Sequence, residues 1–264
     1  MSRLGDAFER ARRDRRAAFV GYLTAGDPSL EATLSLARAL DRAGADVLEL
    51  GVPFTDPIAD GPVLQRAAAR ALDARVSLSD VFALGRRIRA KTRLALVLFS
   101  YLNPILRRGV LRAAAEARAA GFDAVLATDL PPEEGQDFAR RFRAAGLDTV
   151  FLVSPTSPLE RMRSAAALSS GFLYVVSRAG TTGARSTLAS DLAATVARAR
   201  RAAGSLPIAV GFGIATAASA KRVARIADGV VVGSALVSAA ETAGADRARA
   251  VEKLASSLVA ACRR

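Results

Sequence analysis

The chain is 264 residues long, 51% hydrophobic, and carries 38 lysines and arginines against 25 acids, a formal charge of +13. No apolar run approaches a membrane span, and the absence of histidine removes the commonest general base, imidazole zinc ligands and any Ser-His-Asp triad. The basic residues, all arginine except Lys91, Lys221 and Lys253, are scattered through Ala-rich stretches in a chain without tryptophan; they read as solvated helix faces that steer a small anion, not as a nucleic-acid tract.

The chain opens on "MSRLGDAFERARRDRR", where Asp6, Glu9 and Asp14 interrupt the positive charge and no cleavage motif follows, so this stretch is expected to be an extra N-terminal helix and not a transit peptide. Eight apolar runs of strand length come next: "AAFVGYL" from Ala17, "ADVLELGV" from Ala45, "LALVLFS" from Leu94, "DAVLATD" from Asp123, "TVFLVSP" from Thr149, "FLYVVSR" from Phe172, "PIAVGFG" from Pro207 and "GVVVGSA" from Gly229. Amphipathic stretches separate them, including Ser29–Ala43, Ser77–Ala90, Ile105–Ala120 and Pro132–Ala145. Three of these end alike, at "RAGAD", "AAGFD" and "AAGLD", where Gly44, Gly121 and Gly146 suit a left-handed helix end. Repeated strand, helix, glycine, strand punctuation predicts parallel strands with right-handed crossovers. Eight units predict a single (β/α)8 TIM barrel spanning residues 1–264 as one domain, with an open doubly wound sheet as the alternative. The intervals after strands 2 and 6 are the longest, and in a barrel both leave the face where such enzymes place their chemistry. Cys262, the lone cysteine, permits no intrachain disulfide and suits a reducing, cytoplasmic setting.

Carboxylate, tyrosine and arginine are left for acid–base work, since Lys91 precedes strand 3 while Lys221 and Lys253 fall in helices. In "ADVLELGV" Leu48, Leu50 and Val52 share one face, leaving Val47, Glu49 and Gly51 on the other. With the bulky face against the helices, Glu49 points into the barrel, where burial raises a carboxyl's pKa toward neutrality. A structural acid paired with an arginine of the barrel floor is the other reading. Asp60 lies in a loop shaped by Pro53, Pro57, Gly61 and Pro62, which can hold an acid against a ligand, although a loop aspartate such as Asp56 or Asp60, taken singly, is more often a turn former or a helix cap. The Gly runs after strands 7 and 8 lead into helices and place Gly211, Gly213, Gly233 and Ser234 as an anion site, although tight strand-to-helix turns also use glycine. Tyr174 falls on strand 6, and the loop beyond it, with Thr181, Thr182 and Gly183, fits either a lid or a long surface loop.

Together, "LELGVPFTDPIADGP", "YLTAGDPS", "SYLNPIL", "DLPPEEG", "VSPTSP", "SRAGTTGAR", "VGFGI" and "VGSALV" resemble the tryptophan synthase α subunit family, in the same order and along nearly the whole chain. The resemblance implies a phosphate-binding barrel that cleaves indole-3-glycerol phosphate into indole and glyceraldehyde 3-phosphate in tryptophan biosynthesis. It implies no metal or cofactor in this chain, and a pyridoxal-phosphate β subunit as partner, in a complex of two α and two β chains, that receives the indole. By the same resemblance Glu49 protonates indole C3 and relays protons from the glycerol hydroxyl, while Asp60 meets the indole N–H. Tyr174 lies near the glycerol chain, Thr182 closes onto Asp60, Tyr22 and Tyr101 form walls of the indole pocket, and Gly183, Gly211, Phe212, Gly213, Gly233 and Ser234 surround the phosphate. Thr128 departs from the pattern, standing where a smaller apolar residue is expected. A stand-alone lyase releasing free indole uses the same residues, and a barrel that binds ligand and partner without catalysis is a third reading. The loop from Pro53 to Asp60 is the expected route of α–β communication.

Overall fold

The computed structural model describes residues 2–177, 188–211 and 213–264. All eight expected strands form: β1 (Ala18–Thr24), β2 (Val47–Gly51), β3 (Ala95–Ser100), β4 (Ala124–Ala127), β5 (Asp148–Val153), β6 (Leu173–Val176), β7 (Ile208–Gly211) and β8 (Gly229–Val232). Each pairs in parallel with the next and β8 returns to β1, with Ala18 opposite Gly229, so the sheet is a closed barrel and not an open one. Both faces of every strand are covered, which explains why the strands read as near-continuous apolar runs.

Alternation along the strands sorts the core into two parts. Leu48, Leu50, Leu96, Leu98 and Val210 face outward to the helices. Val20, Tyr22, Val47, Val97, Phe99 and Tyr174 belong to the inner set. Helix α1 (Arg3–Arg13) completes the inner set: Leu4, Ala7, Phe8 and Ala11 repeat at helical spacing and are buried together. Phe8 packs at a tilt on Phe172, ring centroids 5.3 Å apart, and a side chain on Gly229 would meet its ring at 3.0 Å, so α1 closes the floor of the barrel.

The remaining helices are α2 (Leu30–Arg42), α3 (Pro62–Asp73), α4 (Leu78–Arg89), α5 (Leu102–Arg108), α6 (Val110–Ala119), α7 (Gln136–Ala144), α8 (Leu159–Leu168), α9 (Leu188–Ala203), α10 (Ala217–Ala224), α11 (Ser234–Thr242) and α12 (Arg247–Ala261). The stretch expected as one helix over Ile105–Ala120 is two, because Gly109 takes φ +86° and turns the chain between α5 and α6. Pro132–Ala145 likewise begins as a 3-10 turn, Pro132–Glu134, ahead of α7. Gly44, Gly121 and Gly146 take the expected left-handed conformation at φ +86°, +85° and +80°. The long interval after strand 2 holds a loop and two helices, α3 and α4; residues 178–187 of the interval after strand 6 lie outside the described residues.

The floor holds part of the positive charge. Arg42, Arg89, Arg118, Arg143, Arg201 and Arg222 all sit in last turns of helices that lead back toward the start of a strand. A cation there offsets the negative end of the helix dipole, about 0.3–1 kcal/mol each. Four clasps tie strand starts together at the same level. The Asp46 amide donates to the Phe19 carbonyl at 3.0 Å while its carboxylate accepts the Phe19 N–H at 2.8 Å. Asp123 does the same to Leu96 at 2.8 Å both ways, and Asp228 to Ile208 at 2.8 and 3.0 Å. Ser170 takes the corresponding place against Thr149, at 2.9 and 3.1 Å. Arg16, Arg89 and Arg200 pair with the three carboxylates in turn.

Removing one such carboxylate leaves a buried N–H unpaired and takes the counter-charge from an arginine, whereas removing the serine leaves the N–H unpaired and takes one hydrogen bond from the more exposed Asp148. Asp123→Ala is therefore expected to cost about 3 kcal/mol and Ser170→Ala about 1 kcal/mol in urea unfolding. Equal losses would count against the clasps as the cause.

Candidate active site

The C-terminal ends of the strands surround a cavity of about 650 Å³. Glu49 reaches it from the middle of β2, level with Tyr22 on β1 and Val97 on β3. It is 1% exposed, and its Oε1 makes no hydrogen bond among the described residues. No arginine of the floor pairs with it, so the structural reading of this acid does not hold among those residues. Burial alone pushes its carboxyl up to about 8.

Asp60 comes to the same cavity from the loop after β2 and is 6% exposed. The loop leaves the barrel with the Val52 amide on the Phe99 carbonyl, at 2.8 Å, and Phe54 then stacks on Tyr101 at 5.0 Å. The Tyr101 hydroxyl accepts the Ala59 N–H at 2.9 Å and donates to Asp60 at 3.3 Å. Asp60 is thus no helix cap; Gly61 takes that position, with Pro62 opening α3. Burial raises the Asp60 carboxyl to about 6, against the lowering effect of the Tyr101 hydrogen bond. Two acids facing one cavity, with pKa values on either side of neutrality, can hold one proton and one negative charge at pH 7.

Two tyrosines wall the space, and each depends on a glycine of the next strand. A Cβ on Gly51 would lie 2.2 Å from the Tyr22 hydroxyl, and one on Gly211 would lie 2.1 Å from that of Tyr174. Tyr22 also packs edge-on against Phe99 at 5.0 Å, and burial holds both phenols above their usual range, hence neutral.

The expected site residues thus divide. Glu49, Asp60, Tyr22, Tyr174, Gly213, Gly233 and Ser234 line the cavity, with Ser234 in the first turn of α11. Tyr101 stands behind Asp60 as its hydrogen-bond donor, and Gly211 lies under the Tyr174 hydroxyl. Thr182, Gly183 and Phe212 lie outside the described residues. Residues not singled out from sequence include Phe99, Leu152 and Val231, whose signal is the inward position on their strands, and Leu64 on α3. Ser154, Ser157 and Arg161 join from the segment after β5; Arg161 is held by Glu133 at 2.8 Å.

Residues 8–262 match the family model described as tryptophan synthase alpha chain. The tryptophan synthase alpha chain of Solibacter usitatus is 48% identical over 237 residues, covering 90% of this chain and 88% of that one. That of Citrifermentans bemidjiense is 49% identical over the same length and shares of the two chains. Among solved structures, tryptophan synthase subunit alpha from Legionella pneumophila aligns with a TM-score of 0.90 at 40% identity, over 99% of this chain and 98% of that one. A chain of Mycobacterium tuberculosis tryptophan synthase aligns with a TM-score of 0.90 at 38% identity, over 100% and 99% of the two.

A carboxyl whose folded pKa lies above its unfolded value binds its proton more readily in the native state, so stability falls as pH rises from about 4.5 through about 8. Glu49→Gln is expected to raise the unfolding free energy at pH 9 by on the order of a few kcal/mol and to leave it nearly unchanged at pH 4. Denaturant titrations at the two pH values measure this; an equal effect at both would exclude a buried ionisation as its source.

Proposed function

This chain belongs to the tryptophan synthase alpha chain family, the subunit that cleaves indole-3-glycerol phosphate beside a β subunit, and we propose that Glu49 and Asp60 are the acids of that cleavage. The supporting observation is the pair itself: Glu49 is buried without a hydrogen bond on Oε1 among the described residues, and Asp60 is held by Tyr101 over the same cavity.

In the proposed reaction protonated Glu49 delivers its proton to C3 of the indole ring, which leaves positive charge on the ring nitrogen. Ionised Asp60 faces the indole N–H and stabilises that charge. The Glu49 carboxylate then takes the proton of the glycerol hydroxyl next to the ring. The carbonyl of glyceraldehyde 3-phosphate forms, the carbon–carbon bond breaks, its electron pair returns to the ring, and indole leaves with Glu49 protonated again. The sequence is neutral in protons and requires no metal or cofactor in this chain. Tyr174 stands beside the glycerol chain and Tyr22 against the indole, while backbone amides around Gly213, Gly233 and Ser234, at the start of α11, receive the phosphate. Thr182, Gly183 and Phe212 belong to this reading as well, the first as the residue that closes onto Asp60.

Residues 1–264 act as one catalytic domain in the cytoplasm, in a complex of two α and two β chains whose β subunits carry pyridoxal phosphate and take up the indole. The rim supports such docking. Ile58, 84% exposed on the Asp60 loop, and Leu106 on α5 are large apolar side chains open to solvent, and the Phe54–Tyr101 stack joins the two elements. No helix among the described residues is long and apolar enough to cross a membrane, and no nucleic-acid role is proposed.

Indole release by the purified chain, with and without a β subunit, tests the reading. Glu49→Gln and Asp60→Asn are each expected to lower kcat about 100-fold or more. The parent kcat/KM is expected to form a bell between limbs near about 6, where Asp60 ionises, and about 8, where Glu49 loses its proton. An unchanged rate in either variant would remove that acid from the mechanism. The β subunit is expected to stimulate cleavage; fast turnover without it points to a stand-alone lyase.

A further inference from the structure

Helix α3 ties Asp60 to the far side of the cavity. It follows Asp60 directly, with Gly61 as its cap and the Gln65 side chain donating to the Asp60 carbonyl at 2.9 Å, so the acid moves with the helix. The helix then packs against β1 and against α11, which opens at Ser234. Leu64 and Ala67 of α3 are buried in one cluster with Val237 of α11. Gly61, Pro62 and Leu64 at the start of α3, and Gly233, Ser234 and Ala235 at the start of α11, line the same cavity.

Ion pairs fix how the two helices sit. Glu241, one residue before the end of α11, accepts Arg66 at 3.1 and 3.3 Å and Arg70 at 2.7 Å, two arginines one turn apart on α3. Arg70 also donates to both oxygens of Asp27, at 2.7 and 2.9 Å, and that carboxylate is buried in the turn after β1. One exposed ion pair holds little, because solvent screens it and two long side chains must be ordered. Here Arg70 is anchored by a buried acid that would lose its counter-charge if the arginine moved, so Glu241 meets a guanidinium that is already held.

We infer that Glu241 is a positioning residue: through Arg66 and Arg70 it sets α3 against α11, and thereby the spacing between Asp60 and the amides of Gly233 and Ser234. The inference rests on the proposed reading that Asp60 meets the indole N–H while those amides receive the phosphate. A ligand gripped at both ends binds well only when the two grips match its length, and a shift on the order of 1 Å removes much of what joining the ends gains. Each end alone is indifferent to the spacing.

The test compares the parent with Glu241→Ala and Arg66→Ala, and with Glu252→Ala, which removes an acid from the Arg42 pair between α2 and α12. Three probes are titrated by calorimetry and NMR: glycerol 3-phosphate for the phosphate end, indole for the ring end, and indole-3-propanol phosphate, which joins them through a three-carbon chain without the hydroxyl that cleavage needs. Glu241→Ala is expected to bind the joined probe about 10-fold more weakly than the parent and each fragment within about 2-fold of it. Arg66→Ala is expected to follow in the same direction and Glu252→Ala to match the parent. KM for indole-3-glycerol phosphate is expected to rise in step while kcat holds within about 2-fold, the signature of lost binding without lost chemistry. Equal losses for the joined probe and the fragments, or no loss for any of them, would overturn the inference. A parent that binds neither the fragments nor the joined probe would overturn the functional reading itself, and the inference with it.

Discussion

Keeping the carboxyl of Glu49 in the dry interior of a parallel barrel is the constraint to which the rest of the molecule answers. An ionised acid at that depth loses most of its hydration, and the protein supplies Oε1 with no hydrogen bond in return among the described residues. That penalty makes the group useful near neutral pH, because it keeps the proton on until a base or a developing charge calls for it. The penalty has to be offset elsewhere. Two apolar cores flank the strands, α1 seals the floor beneath the acid, and paired carboxylates and arginines staple the strand starts.

Asp60 answers to a different constraint. On the proposed reading it works ionised beside a protonated Glu49, and it sits on the loop after β2 where it accepts the Tyr101 hydrogen bond, whereas Glu49 Oε1 has none among the described residues. Two aromatic contacts hold the arrangement, Phe54 on Tyr101 outside the cavity and Tyr22 on Phe99 within it. The missing side chains of Gly51 and Gly211 are as specific as those present, since each leaves the volume that a phenol of the adjacent strand fills.

Sequence conveyed the barrel because burial on both faces writes each strand as an apolar run, and because glycine marks the left-handed turn that ends several helices. It conveyed Glu49 because a lone acid in such a run must either find a cation or serve the chemistry. It could not show that Gly109 splits a helix, since Ala-rich helical patterning continues across it. Nor could it show that Tyr101 donates to Asp60 or that Gly211 makes room for Tyr174, because both depend on cross-strand register and loop path, which local pattern does not contain. The clasps were half visible: "GAD" and "GFD" carry the aspartates that bind the preceding strand, but in "GLD" Asp148 turns to Ser170, and Ser170 makes the clasp.

The clasps also bear on how the chain finds its shape. Each joins residues 20 to 27 positions apart, pairing β1 with β2, β3 with β4, β5 with β6 and β7 with β8. The seam between β1 and β8 spans nearly the whole chain, and closing so long a loop costs about 2 kcal/mol more in chain entropy than closing a clasp. The molecule is therefore built as four locally tied strand pairs and one distant seam. On this hypothesis the seam and the α1 plug form last in folding, so that mutations at Ala18 or Phe8 chiefly speed unfolding while mutations at the clasps slow folding; chevron kinetics with the opposite pattern would reject it.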